Sequence, residues 1–229
     1  MQVKRTEQKM VIPVQQAVEL KRRLDMVMPR DRHITSEDGY EIRSLYFDTV
    51  ADRCFVEKED GLLVHEKIRA RIYGTDDSVI KLECKRKVGE AQVKKTMLID
   101  RNMLDEIIKG NYSVLLSSDN PMAHMFFEKL STGMIPKCIV QYKRMSYCID
   151  TNNIRITLDS DIRATESSFD LFSDPLNAHP ILDSGRVVLE VKYNNFLFDY
   201  IKNILRDVKK SPGSFSKYMG GRSFYRHMI

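Results

Sequence analysis

The stretch Val187–Tyr193, Val-Val-Leu-Glu-Val-Lys-Tyr, is the tightest constraint on how this chain can fold. In an extended segment, successive side chains point to opposite faces. Val187, Leu189, Val191 and Tyr193 therefore share one face, and Val188, Glu190 and Lys192 share the other. The apolar face needs a covering layer, while a face with a carboxylate and an ammonium two residues apart can meet water. One such strand would be an ordinary half-buried strand with solvated charges. Here the two-sided pattern recurs along the chain, and in most repeats the charges are basic.

The first repeat is Val3–Val11, where Arg5, Glu7 and Lys9 alternate. Tyr40–Thr49 is rich in β-formers, with Ser44, Tyr46 and Asp48 on one face and Arg43, Leu45 and Phe47 on the other. In Leu63–Tyr73, His65, Lys67, Arg69 and Arg71 oppose Ile68, Ala70 and Ile72. Gly74-Thr75-Asp76-Asp77 reads as a hairpin connection into Val79–Lys87, which carries Lys81, Glu83, Lys85 and Lys87 on one side. After a turn at Val88-Gly89-Glu90, Val93–Ile99 sets Lys94 and Thr96 against Val93, Lys95 and Met97. Ile139–Ile149 places Val140, Tyr142, Arg144 and Ser146 together. Across an Asn152-Asn153 turn, Ile154–Leu158 alternates cleanly, with Arg155, Thr157 and Asp159 on the polar side.

Helices fill the intervals. Pro13 opens one that runs to about Met28, with Ala17, Leu20, Leu24 and Val27 at helical spacing. Arg101–Lys109, closed by Gly110, and Pro121–Leu130, capped by Ser118 or Asp119, follow. Phe198–Lys209 is the last, ended by Ser211-Pro212-Gly213. Thr165–Gly185, rich in Ser, Asp and Pro, reads as a long surface loop, and Ser214–Ile229 as a basic tail. Beyond this strand pattern no internal sequence repeat or clear domain boundary is evident, so a single domain over 1–229 is expected.

The polar faces together hold Arg5, Lys9, Lys67, Arg69, Arg71, Lys81, Lys85, Lys87, Lys94, Arg144, Arg155 and Lys192, against Glu7, Glu83, Asp159 and Glu190. Net charge is only +5, so the argument for an anionic partner rests on this clustering. About eight strands with few free edges suggest an α+β fold with a closed antiparallel barrel, helices outside and a basic tunnel inside. Such a lining cannot close without counter-charge and calls for water and a polyanion. Arg supplies a bidentate fork to phosphate and Lys a point charge. The competing reading is a sheet whose charged face is simply solvated, which predicts balanced signs on that face. The faces carry few aromatics beyond Tyr46 and Tyr142, so single-stranded nucleic acid is not the expected ligand. There is no phosphate-binding Gly-rich loop.

Other features bound the setting. Cys54, Cys84, Cys138 and Cys148 form no C-x-x-C pair, which suits a reducing compartment. No stretch approaches the ~20 apolar residues of a membrane span, and the N-terminus lacks an apolar signal core. A soluble, cytoplasmic protein is expected, with any membrane contact made through a partner chain.

Taken in order, Arg5-Thr6-Glu7-Gln8-Lys9, Ile42–Thr49, Lys67–Gly74, Leu82–Lys87, Val93-Lys94-Lys95, Tyr142-Lys143-Arg144, Leu189–Tyr193 and Ser216-Lys217-Tyr218 resemble the polyphosphate polymerase domain of the vacuolar transporter chaperone (VTC) family. That family lies within the triphosphate tunnel metalloenzymes, also called CYTH-like. The resemblance covers nearly the whole chain. The first motif departs from the superfamily's commoner Glu-x-Glu-x-Lys, with Arg5 at the first Glu. The lost carboxylate weakens a multi-carboxylate metal site and favours phosphate binding.

The resemblance implies ATP-dependent synthesis of inorganic polyphosphate, the γ-phosphate passing to a growing chain. It implies catalytic roles for Arg69, Arg71, Lys85, Arg144, Lys192 and Lys217. ATP and polyphosphate would be bound by Lys9, Lys94, Tyr142, Arg155 and Ser216, and a divalent Mn2+ or Mg2+ by Glu190. Alternatives with the same fold are a triphosphate or polyphosphate hydrolase and a non-catalytic polyphosphate-binding module.

Overall fold

The structure is a computed structural model that describes residues 5–34, 36–89, 91–208 and 215–226. The strands are β1 (Arg5–Pro13), β2 (Tyr40–Thr49), β3 (Val64–Tyr73), β4 (Asp76–Val88), β5 (Ala91–Ile99), β6 (Met134–Ile149), β7 (Ile154–Thr165), β8 (His179–Pro180) and β9 (Arg186–Asn194). The helices are α1 (Val14–Asp25), α2 (Arg53–Glu59), α3 (Arg101–Ile108), α4 (Ala123–Leu130), α5 (Asp199–Arg206) and α6 (Lys217–Arg226). The α+β expectation holds. The strands pair in the order β1-β9-β7-β6-β2-β3-β4-β5, with β8 beside β7. This order is a path with ends at β1 and β5, not the expected closed ring.

The chain forms two compact units. One comprises Met1–Glu41, Tyr142–Ile162 and Pro180–Ser216. In it β1 and β7 both pair antiparallel with β9. Met10 and Ile12 of β1, Ile154, Ile156 and Leu158 of β7, and Val187, Leu189 and Val191 of β9 share one buried cluster with Leu20 and Leu24 of α1 and Ile201 and Ile204 of α5. The helices thus cover the apolar face, which leaves Lys9, Glu190 and Lys192 on the opposite one. Helix α5 ends at Arg206, and the expected break at Ser211-Pro212-Gly213 lies outside the described residues.

The second unit comprises Ile42–Gln141, Arg163–His179 and Lys217–Ile229. Here β2, β3, β4 and β5 pair antiparallel in sequence order. Leu45, Phe47, Ile68, Ala70, Leu82 and Met97 are buried on one face. Arg43 lies on that face too and is itself buried. Its Nη1 donates to the carbonyls of Leu171 at 3.1 Å and Ser173 at 2.5 Å, which ties down part of the expected surface loop. Two helices were not anticipated. The first is α2, whose start is held by Asp48: Oδ1 accepts from the Cys54 N–H at 2.8 Å and Oδ2 from the Phe55 N–H at 3.0 Å. The second, α6, occupies the expected tail.

Candidate phosphate-binding faces and their family

In the first unit the site is built from cross-strand register. Lys9 stands opposite Glu190, which stands opposite Thr157. One step along, Glu7 stands opposite Lys192, which stands opposite Arg155. Side chains directly opposite in an antiparallel pair lie on one face and touch. Accordingly, Glu190 Oε1 is 2.8 Å from Lys192 Nζ and 3.8 Å from Lys9 Nζ, and Lys192 Nζ is 3.8 Å from Glu7 Oε2. Glu190 is only 6% exposed. Burial alone would raise its pKa, but Lys9 and Lys192 outweigh that and hold the carboxyl far below the usual range.

Beside this group, Arg144 grips Asp159 in a bidentate pair, Nε to Oδ1 at 2.6 Å and Nη2 to Oδ2 at 2.8 Å. Arg144 also lies over the Tyr142 ring, 5.3 Å from its centroid. Burial disfavours the guanidinium charge, yet Asp159 raises the Arg144 pKa well above the ordinary value. Arg155 Nη2 donates to Asp31 Oδ2 at 2.6 Å and its Nε to Ser146 Oγ at 3.1 Å. Lys9, Tyr142, Arg144, Arg155, Glu190 and Lys192 are thus brought together, and the cations among them pair with Glu190, Glu7, Asp159 and Asp31. Asp31 carried no signal, since it lies in a polar loop without periodicity.

In the second unit, the rows across the strands are Ser44–Arg71–Lys81, Tyr46–Arg69–Glu83–Thr96 and Lys67–Lys85–Lys94. The last places three lysines at directly opposed positions on adjacent strands, which gathers positive charge on this face. Glu83 is 1% exposed. Both Nε and Nη2 of Arg69 reach its Oε2 at 2.7 Å, and Arg71 Nη1 lies 3.7 Å from the same atom. Lys94 pairs with the other carboxylate oxygen. Burial opposes ionisation of Glu83, yet Arg69, Arg71 and Lys94 lower its pKa to about 2. Arg69 also donates to the Tyr46 hydroxyl at 3.1 Å, and Arg71 to Ser44 Oγ at 3.3 Å. These supports belong to β2, whose alternation placed Ser44 and Tyr46 on one face but named no partner for them.

Lys217 opens α6, directly after Ser216. The neighbouring Tyr218 donates to Asp48 Oδ2 at 2.5 Å, and its ring centroid lies 5.2 Å from that of Tyr46 and 5.7 Å from Lys67 Nζ. Helix α6 thereby docks its first turn against the basic face of the second unit. Arg222 fixes the next turn through both oxygens of Asp52, at 2.8 and 2.7 Å.

Antiparallel strands with one helix-covered apolar face and one charged face define an α+β fold seen in solved structures. A candidate adenylate cyclase of Bacillus halodurans matches with TM-score 0.53 and 11% identity, over 94% of this chain and 97% of that one. A Pyrococcus horikoshii protein matches with TM-score 0.46 and 14% identity, over 96% and 99% of the two chains. A candidate adenylate cyclase of Vibrio parahaemolyticus gives 0.48 and 11%, over 91% and 94%. No curated protein sequence matches the chain. The sequence profile of the VTC domain matches residues 4–225, and the chain belongs to that family.

A divalent cation fits these residues only within limits. Among the described residues no group of three or more His, Cys, Asp and Glu is placed to hold a metal. Glu190 and Glu7 flank Lys192, so the face offers a pair of carboxylates already neutralised by ammonium groups. Mg2+ and Mn2+ are commonly held by one or two carboxylates together with substrate phosphates, and that is the form this donor set suits. Among the described residues no helix is long and apolar enough to cross a membrane.

Proposed function

We propose that this VTC-family chain is a phosphotransferase that synthesises inorganic polyphosphate from ATP. The observation that carries the reading is the Lys67–Lys85–Lys94 row beside Arg69 and Arg71. That face gathers Lys67, Arg69, Arg71, Lys85 and Lys94 around Glu83, an excess of cations for which a phosphate chain presents the matching charges. The reading assigns ATP and polyphosphate to Lys9, Lys94, Tyr142, Arg155 and Ser216. It assigns transfer to Arg69, Arg71, Lys85, Arg144, Lys192 and Lys217. The basic lining expected from the sequence belongs to this proposal, as does a cytoplasmic site of action.

Phosphoryl transfer asks a protein for positioning and charge neutralisation more than for covalent chemistry. Arg69 and Arg71 are held by Glu83, Tyr46 and Ser44, so their guanidinium groups need little reorganisation to meet phosphoryl oxygens. Lys192 and Lys9 are held by Glu190 in the same way. The attacking terminal phosphate of a growing chain is already anionic, so the transfer needs no general base. Glu190, with Glu7 beside it, would hold Mn2+ or Mg2+, which when bound neutralises charge on the transferring group.

The test is incubation with ATP and Mn2+, followed by gel analysis of polyphosphate and assay of ADP. Long chains with matching ADP are expected. Phosphate release without chain growth would assign a hydrolase, and binding without turnover a polyphosphate-binding module. Glu190→Gln should abolish metal-dependent turnover yet leave tripolyphosphate binding largely intact, because the cations remain. Unchanged turnover would remove Glu190 from the metal site.

A further inference from the structure

On the face that carries Glu190, Thr157 takes no part in the network of ion pairs and hydrogen bonds. Thr157 is 3% exposed, and its hydroxyl has no hydrogen-bond partner among the described residues. It stands directly opposite Glu190 and between Arg155 and Asp159 on its own strand. Valine would fill the same volume and suit a strand equally well. A buried hydroxyl left unpaired is disfavoured, and native proteins rarely keep one without a reason.

The surroundings indicate which half of the hydroxyl lacks a partner. Donors are abundant, since Lys9, Lys192 and Arg155 all belong to this face. The nearby carboxylates turn to cations and not to this hydroxyl: Glu190 Oε1 faces two ammonium groups, and both oxygens of Asp159 accept from Arg144. The missing partner is therefore an acceptor, and one that belongs among cations.

We infer that Thr157 is a further substrate-contacting residue, whose hydroxyl donates to a phosphoryl oxygen bound between Lys9, Lys192 and Arg155. The ligand class is a condensed phosphate, as the terminal groups of a nucleoside triphosphate or of inorganic polyphosphate. The inference rests on the proposed function in that this face must bind phosphate. It adds a neutral donor that fixes one oxygen in direction, which point charges on flexible lysine stems do not.

Calorimetric titration of the full chain with inorganic tripolyphosphate in EDTA tests it, comparing the natural protein with Thr157→Val and Thr157→Ser. The valine variant should bind roughly ten- to hundredfold more weakly, the usual effect of losing a hydrogen bond to a charged group. The serine variant should stay within a few-fold of the natural protein. Without ligand, Thr157→Val should melt at the same temperature or higher, since it removes an unpaired buried hydroxyl. Equal affinity of the valine variant and the natural protein would overturn the inference, as would a lower melting temperature, which would reveal an internal partner. A loss seen only when Mn2+ is added would overturn it too, because the hydroxyl would then serve the metal. If the natural protein itself fails to bind tripolyphosphate, the phosphate reading of the face falls and Thr157 falls with it; binding that ignores Thr157→Val removes Thr157 alone.

Discussion

Taking Glu83 out of water is costly unless the carboxylate is paired, and Arg69, Arg71 and Lys94 supply the pairing. Removing one member of such a group leaves buried charge uncompensated. Glu83→Gln should therefore cost about 3–5 kcal/mol in urea unfolding. The sign with pH follows from the same contacts. The folded carboxyl titrates at about 2, below its ordinary value of 4.5. Its contribution is thus full above that ordinary value and is lost as pH falls toward the folded one. Acid unfolding of the natural protein should steepen across this window, and the glutamine variant should lack that component; identical acid limbs would refute the role. Alternation alone places Glu83 among cations, because a period of two fixes the face. It does not tell a solvated carboxylate from a buried one, since that depends on the neighbouring strands. The partners of Arg155 show a stronger limit: Asp31 reaches it from 124 residues away along the chain.

Among the elements, β6 carries Tyr142 and Arg144, and Gly39 approaches its backbone closely at Arg144. Gly39 has φ +88°, and a Cβ there would sit 2.1 Å from the Arg144 carbonyl oxygen. Neither atom can yield as a flexible side chain would. Gly39→Ala should therefore lower stability by about 3 kcal/mol or more, combining backbone strain with displacement of β6. It should also weaken tripolyphosphate binding, because Arg144 moves with its strand. Gly61→Ala is the control: φ is +68° but nothing lies within 4 Å, so strain alone should cost about 1 kcal/mol and leave binding unchanged. Equal losses at both positions would show that the close contact is immaterial. The strands were legible because charge and apolar residues alternate over their length. The α6 helix was not, because Gly220 and Gly221 argue against helix by propensity. Packing overrides that preference: a Cβ on Gly221 would lie 3.3 Å from both the Ala164 Cβ and Val140 Cγ2, so glycine lets the helix approach. The α2 helix is short and held from outside by Asp48, which its own sequence cannot announce.

For the molecule as a whole, strand order was the least legible property, since pairing such as β1 with β9 joins segments far apart in sequence. Charge distribution was more legible, and it leads to a prediction about salt. A net charge of +5 spread evenly over 229 residues would give a weak field. The Lys67–Lys85–Lys94 row concentrates charge instead. Screening acts over about 8 Å at physiological ionic strength and about 3 Å at 1 M, and it acts mainly on exposed charges. Tripolyphosphate affinity should therefore fall at least about tenfold between roughly 0.05 and 0.5 M KCl. The cations should divide by burial. The Lys94 side chain is 45% exposed and that of Arg71 is 9% exposed. Lys94→Met should flatten the salt dependence, with its largest effect at low salt, where the exposed ammonium attracts most. Arg71→Met should weaken binding by a similar factor at every salt concentration, because a buried guanidinium acts at short range through little water. Calorimetry at four or five salt concentrations separates the two. Parallel salt curves for both variants would mean that the anion meets Lys94 and Arg71 in equivalent surroundings, contrary to the burial that distinguishes them.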